Sequence, residues 1–90
     1  MDGNGSLDVY RNAIDQLDGR VAELLKQREW LSAQIGRIKA ESGMSIENPA
    51  REIAIVQRLH ERTGLSEEYL TSVYEPIFER SQEIQEAQRV

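Results

Sequence analysis

The chain has 90 residues, of which 39% are apolar and 30% charged, and it contains no cysteine. This composition is typical of one small folded domain, and the lack of cysteine excludes disulfides, thiolate metal sites and thiol nucleophiles. The net charge of −5 disfavours general nucleic-acid binding, which needs a basic surface. The polar first residues do not resemble a signal peptide, and no apolar run approaches the ~20 residues that span a bilayer, so we expect a cytoplasmic protein with no membrane association.

A long amphipathic helix is predicted from about residue 6 to residue 42, within a single domain that covers residues 1–90. Ser6 is a suitable N-cap, with Asp8 in the first turn, residues 1–5 are expected to be disordered, and Gly43 is placed to end the helix. Such a helix is about 55 Å long, which is more than one compact chain of this size can cover. Its apolar seam is therefore predicted to pack against a second copy of the chain in a homodimer. The seam consists of Leu7, Tyr10, Ile14, Leu17, Val21, Leu24, Leu31, Ile35 and Ile38.

Two shorter helices follow, so the predicted fold class is all-α with three helices. Asn48 before a proline is typical of a helix start, and Gly64 is placed to end this second helix. Ser66 caps the third helix, inside which Pro76 is expected to cause a bend.

Two glycines interrupt the first helix. Gly19 and Gly36 each cost about 1 kcal/mol relative to alanine at such positions. Either they are tolerated surface residues, or they allow close approach of another backbone or of a ligand. Both interpretations stay open for Gly36.

Arg28 occupies a seam position where an apolar residue is expected. It can set the register of a coiled coil, pair with a carboxylate of another helix, or bind an anion. Lys39 projects within about 20° of Arg28, at about 16 Å along the helix axis, and two cations on one side favour an anionic ligand. Arg11 lies about 25 Å from Arg28 and about 100° around the helix, so only an antiparallel partner helix can bring its own Arg11 to the same ligand.

Further polar residues lie on the other two helices. Arg51 and Glu52 follow the second N-cap, while Ser81 and Gln85 continue the apolar stripe of the third helix. Each is compatible with an ordinary structural role or with a ligand pocket. The single histidine, His60, is interpreted as structural or solvent-facing. Since no nucleophile elbow, phosphate loop or metal-ligand spacing is present, we expect a reaction that needs no nucleophile, metal or cofactor.

The polar positions recur with a specific spacing along nearly the whole chain. The runs are Arg11-x-x-Ile14-x-x-Leu17-Asp18, Leu24-Leu25-x-x-Arg28, Ile35-Gly36-x-x-Lys39, Arg51-Glu52 and Ser81-x-x-x-Gln85. This pattern closely resembles the all-helical chorismate mutases. The resemblance implies an intertwined homodimer with two equivalent sites, which rearranges chorismate to prephenate in aromatic amino-acid biosynthesis.

The resemblance also implies roles for the site residues. Arg28 of one chain and Arg11 of the other bind the two carboxylates of this small dicarboxylate substrate, Arg51 adds positive charge, and Ser81 contacts a carboxylate. Lys39 and Gln85 donate to the ether oxygen whose bond breaks, and Glu52 binds the C4 hydroxyl.

One residue departs from the family pattern. Asn48 stands where well-known members have an aspartate, beside the expected position of the C4 substituent. This difference leaves open a 4-amino-4-deoxychorismate mutase of an antibiotic pathway, and a similar family also contains isochorismate-pyruvate lyases. A non-catalytic helical dimerisation module is the alternative from another functional class.

Overall fold

The computed structural model describes residues 3–89, which form three helices. Helix α1 spans Gly3–Ser42, α2 spans Pro49–Thr63 and α3 spans Glu67–Ala87. No strand occurs among these residues, so the predicted all-α class is confirmed. Within the same range, no helix combines the length and apolar character that a membrane span requires.

Helix α1 starts earlier than predicted. Its first residue is Gly3, so Ser6 lies inside the helix and the expected N-cap at Ser6 is wrong. Asp8 consequently falls outside the first turn, which holds no acidic residue. Residues 3–5, for which we expected disorder, are helical, whereas residues 1 and 2 lie outside the described part of the chain. Continuing the helix replaces one side-chain cap at Ser6 by further backbone hydrogen bonds.

The connection between α1 and α2 follows the predicted signals. Gly43 has a φ of +68°, in the left-handed region that favours glycine, and Met44 N donates to Lys39 O at 2.9 Å. At the start of α2, the Asn48 side chain accepts a hydrogen bond from Arg51 N at 3.1 Å. These two local structures fix the end of α1 close to the start of α2.

The turn between α2 and α3 is also as predicted. Gly64 has a φ of +76° and donates its N–H to His60 O at 2.8 Å. The His60 ring is half-buried and its Nδ1 lies 2.7 Å from Leu65 O, which agrees with the structural interpretation of this histidine. Ser66 caps α3 by accepting from Tyr69 N at 3.1 Å.

The core is small and centred on α3, which packs against both α1 and α2. Its buried apolar residues come from α2 and α3, and they are Ile55, Val56, Leu70 and Phe78. The seam of α1, by contrast, stays largely exposed over its whole length, from Leu7 at 44% to Ile38 at 59%. One chain therefore leaves the predicted seam uncovered.

At Gly36, α1 lies in close contact with the backbone of α3. A Cβ atom at Gly36 would lie 2.7 Å from Gln85 Cα and 2.9 Å from Gln85 O, distances that real Cβ atoms do not adopt. Of the two interpretations open for Gly36, close approach of another backbone is confirmed. Gly19 has no neighbouring atom within 4 Å of such a Cβ.

Candidate active site

A cavity of about 400 Å³ lies between the three helices. Seven of the eight site residues predicted from the sequence line it, and they are Arg28, Lys39, Asn48, Arg51, Glu52, Ser81 and Gln85. These residues come from all three helices and from the connection before α2, so the fold brings distant segments of the sequence together. Apolar side chains, among them Ile35 and Ile55, complete the wall.

Arg28 is half-buried, and its guanidinium lies over the ring of Phe78, with Cζ 5.7 Å from the ring centroid. Such a contact favours a cation by attraction to the negative face of the ring. Among residues 3–89, no carboxylate lies within ion-pair distance of Arg28. Of the explanations considered for Arg28, the ion pair with another helix is therefore not observed in the described part of the chain.

Unlike Arg28, Arg80 forms ion pairs with carboxylates. Arg80 lies outside the cavity and bonds Glu29 at 3.3 Å and Glu83 at 3.5 Å. The hydrogen bond with Glu29 is the largest cause that raises the pKa of Arg80 above its ordinary value. Glu29 and Glu83 thus pair with a surface arginine, and among residues 3–89 neither lies within ion-pair distance of a cavity cation.

Lys39 closes the end of the cavity near the α1–α2 connection. It is half-buried, and its Nζ donates to Ile46 O at 3.1 Å. An ammonium group has three donors, so this bond orients the side chain while leaving donors for a ligand. Arg28 and Lys39 line one cavity, as their helical spacing predicted.

The start of α2 contributes residues of different character. Asn48 uses its carbonyl oxygen as the helix cap, and the exposed Arg51 lines the cavity mouth. Glu52 is half-buried and accepts a hydrogen bond from Gln82 Nε2 at 2.9 Å. One of the two carboxylate oxygens of Glu52 is therefore engaged by α3.

A hydrogen-bonded group of side chains joins α1 to α3 on the opposite wall. Ser32 Oγ lies 2.7 Å from Ser81 Oγ, and Gln85 Nε2 donates to Ser81 Oγ at 3.2 Å. Gln85 is 7% exposed, and its Oε1 is buried without a hydrogen-bond partner in the described structure. The polar continuation of the α3 stripe therefore faces the cavity, and Pro76 does not end the helix before it.

Arg11 is the one predicted site residue that does not line this cavity. It is exposed on α1, about 25 Å along the helix axis from Arg28. A single chain therefore does not bring Arg11 to the cavity, as its helical position predicted.

Two polar residues of the cavity, Ser32 and Gln82, were not predicted as site residues. Ser32 lies one turn after Arg28 on the same face of α1, and Gln82 lies one turn before Gln85 on α3. Helical spacing relates each of them to a predicted site residue, but serine and glutamine are too common in helices for spacing alone to indicate a site. Phe78 also lines the cavity, and its contact with Arg28 depends on how α1 and α3 pack.

Comparison with known proteins places the chain in a family. A family model described as Chorismate mutase type II matches residues 10–86. The chain belongs to the chorismate mutase type II family. All eight predicted site positions, from Arg11 to Gln85, lie within the matched segment.

Individual members of the comparison are longer proteins. The chain is similar to a bifunctional chorismate mutase/prephenate dehydratase of Buchnera aphidicola, with 31% identity over 84 residues, which cover 90% of this chain and 22% of that protein. It is 37% identical over 71 residues to a T-protein of Haemophilus influenzae, covering 76% of this chain and 19% of that protein. A 3-dehydroquinate dehydratase of Pyrobaculum aerophilum is 35% identical over 54 residues, which cover 60% of this chain and 18% of that protein. The chain thus spans about a fifth of the length of these relatives. No solved structure matches the chain closely enough to add to this comparison.

Proposed function

We propose that the chain is a chorismate mutase that converts chorismate to prephenate by a Claisen rearrangement in aromatic amino-acid biosynthesis. The main observation in support of this proposal is that three cationic side chains, Arg28, Lys39 and Arg51, line one cavity. Within residues 3–89, none of these three cations has a carboxylate partner. Unpaired cations at the wall of a cavity suit a dianionic substrate such as chorismate.

The proposed reaction needs positioning and charge stabilisation rather than a nucleophile. Bidentate bonds from Arg28 to a substrate carboxylate hold the enolpyruvyl arm against the ring, which removes most of the orientational cost of the reaction. Lys39 and Gln85 lie at the same cavity and have donors for the ether oxygen, which becomes more negative in the transition state. Glu52 keeps one carboxylate oxygen free of Gln82 and can accept from the C4 hydroxyl.

We further propose that two chains form an intertwined homodimer, in which Arg11 of each chain completes the site of the other. The chain has an accessible surface of 7189 Å², whereas a compact monomer of this mass exposes about 5,400 Å². The excess is comparable to the area that each chain of an obligate dimer buries. The exposed seam of α1 is the apolar surface that such an interface needs.

The proposal treats residues 1–90 as one mutase domain. The chain matches 22% of the bifunctional chorismate mutase/prephenate dehydratase, and we propose only the mutase activity for it. A cytoplasmic location stays a prediction.

A second candidate function keeps the fold and changes the substrate. The Gln82 amide bonds the Glu52 carboxylate, and the neutral Asn48 lines the same cavity. A carboxylate in such surroundings also suits an ammonium group. A 4-amino-4-deoxychorismate mutase is therefore the second candidate.

A substrate panel tests these functions. The protein, purified from a host strain that lacks its own chorismate mutase, is incubated separately with chorismate, 4-amino-4-deoxychorismate and isochorismate, and the products are separated by chromatography. We expect prephenate from chorismate and negligible turnover of the other two substrates. The Arg28→Ala protein is the control for contaminating activity and should be inactive. Faster turnover of the amino analogue would favour the second candidate, pyruvate release from isochorismate would indicate a lyase, and no turnover of any substrate would favour a non-catalytic module.

A further inference from the structure

Ser32 is a buried polar residue on the cavity face of α1, one turn after Arg28. It is 3% exposed, and its Oγ lies 2.7 Å from Ser81 Oγ on α3. Serine and threonine side chains in helices commonly bond the carbonyl one turn earlier, as Ser72 does with Glu68 O at 3.2 Å. Ser32 bonds another helix instead, so its hydroxyl belongs to the tertiary structure of the cavity wall.

Ser81 connects Ser32 to Gln85. A hydroxyl has one proton and two lone pairs, and Ser81 Oγ already accepts from Gln85 Nε2 at 3.2 Å. Either serine can be the donor in the Ser32–Ser81 bond. If Ser32 donates, both lone pairs of Ser81 are used, and the Ser81 proton is left for an acceptor in the cavity. If Ser81 donates, no Ser81 proton remains for a ligand.

Gln85 is fixed at its backbone and at its amide. The backbone of Gln85 packs directly against Gly36: a Cβ atom at Gly36 would lie only 2.7 Å from Gln85 Cα. Its Nε2 uses one of two protons for Ser81, and the second stays available to the cavity. The orientation of this amide therefore depends on Ser81, and that of Ser81 depends on Ser32.

We propose that Ser32 is a positioning residue of the site, an inference that rests on the proposed function. With a dicarboxylate bound, Ser32 donates to Ser81, Ser81 donates to a substrate carboxylate, and Gln85 donates one proton to Ser81 and the other to the ether oxygen. Hydrogen bonds aligned in this way strengthen one another in a water-poor site. Ser32 itself does not touch the substrate.

The test compares Ser32→Ala, Ser81→Ala and the double variant in steady-state kinetics with chorismate. Ser32→Ala removes a single oxygen and introduces a good helix former, so we expect it to fold. The loss of one hydrogen bond predicts a fall in kcat/KM of about three- to tenfold. Because Ser32 acts through Ser81, the double variant should be no slower than Ser81→Ala alone. Additive effects of the two substitutions would overturn the proposal, since independent sites add.

Ser72→Ala is the matched control, because Ser72 is a helical serine of α3 that does not line the cavity. It should keep the parent kcat/KM. A loss in Ser72→Ala equal to that in Ser32→Ala would also overturn the proposal.

A second measurement does not depend on turnover. In the ligand-free protein, NMR should show that hydrogen exchange of the Gln85 side-chain amide becomes about three- to tenfold faster in Ser32→Ala, because the bond that holds the amide weakens. An unchanged exchange rate would contradict the role of Ser32. A parent protein that did not turn chorismate over would instead contradict the proposed function, and the exchange rate would still decide whether Ser32 positions Gln85.

Discussion

Three of the charged residues of the cavity contact uncharged partners. Arg28 lies against the Phe78 ring, Lys39 donates to the backbone of Ile46, and Glu52 accepts from the Gln82 amide. Neutral partners orient a charged side chain without neutralising it, so the cation keeps its full attraction for an anionic ligand. This arrangement differs from that of Arg80, whose charge is matched by acidic neighbours.

Lys39→Ala tests whether this orientation serves the transition state. Under the proposed function, the ammonium stabilises charge that develops on the ether oxygen, so we expect kcat to fall by about 10²–10³-fold with a much smaller change in KM. The measurement is steady-state kinetics with chorismate, accompanied by circular dichroism because the bond to Ile46 O is also lost. Lys26→Ala is the control, since Lys26 is exposed on α1 and does not line the cavity. Turnover at the parent rate in Lys39→Ala would contradict the ether-oxygen role.

The site residues differ in how readily they can be predicted from the sequence. A cation in an apolar seam, as at Arg28, is anomalous by itself, and helical spacing then relates it to Lys39. Ser32 and Gln82 could not be predicted as site residues in this way, because serine and glutamine are common at any helical position. Their partners lie on other helices, and the crossing of α1 and α3 that brings them together is not encoded in local spacing.

At the scale of elements, Gly36 sets how closely α1 and α3 pack. Gly36→Ala would improve the intrinsic helix propensity of α1 by about 1 kcal/mol, but its Cβ would lie 2.7 Å from Gln85 Cα. The contacting atom is backbone, so α3 has to move as a unit. We therefore expect a lower melting temperature and a fall in kcat/KM of about tenfold or more, because Gln85 moves with α3.

Gly19→Ala is the matched control for the same helix. A Cβ at Gly19 has no neighbour within 4 Å, and Gly19 lies on the side of α1 opposite the seam. Here only the propensity changes, so we expect stabilisation by about 0.5–1 kcal/mol and parent activity. Thermal unfolding of both variants checks the pair, and equal stabilisation by the two substitutions would refute the close-packing argument.

The helix boundaries show where local signals suffice. Gly43, Asn48, Gly64 and Ser66 were predicted correctly, since each acts through hydrogen bonds and φ angles within a few residues. The start of α1 was predicted wrongly. Ser6 has the chemistry of a cap, but the residues before it are also helical. A suitable cap residue therefore permits a helix start but does not require one.

At the scale of the whole molecule, the chain is elongated, and the apolar seam of its longest helix is largely exposed. The radius of gyration is 17.4 Å and the longest dimension is 63 Å, whereas a compact domain of this length has a radius of about 12 Å. The seam predicted from the sequence is present as an exposed stripe. The length of a periodic pattern thus indicates that a partner is needed, although it does not specify how the two chains cross.

Mixing two inactive variants tests whether each proposed site contains residues from both chains. Arg11→Ala and Arg28→Ala should each be inactive alone, because each dimer site lacks one arginine. After the two are unfolded and refolded together in equal amounts, about half of the dimers contain one chain of each kind, and each of these has one complete site. We expect about one quarter of the parent activity. Recovery of no activity, with mixed dimers demonstrated by mass spectrometry, would mean that Arg11 and Arg28 do not share a site.

The N-terminal half of α1 has a consequence for how the protein folds. Apolar residues such as Tyr10, Leu17 and Leu24 are more than half exposed, and most of the stability of a helix in a protein comes from packing of its apolar face. Within the proposed dimer, this segment gains its stability at the moment of association, so folding of the half-helix and recognition of the second chain are one bimolecular event. Protein concentration then determines how much of the chain is folded, because mass action couples assembly to stability.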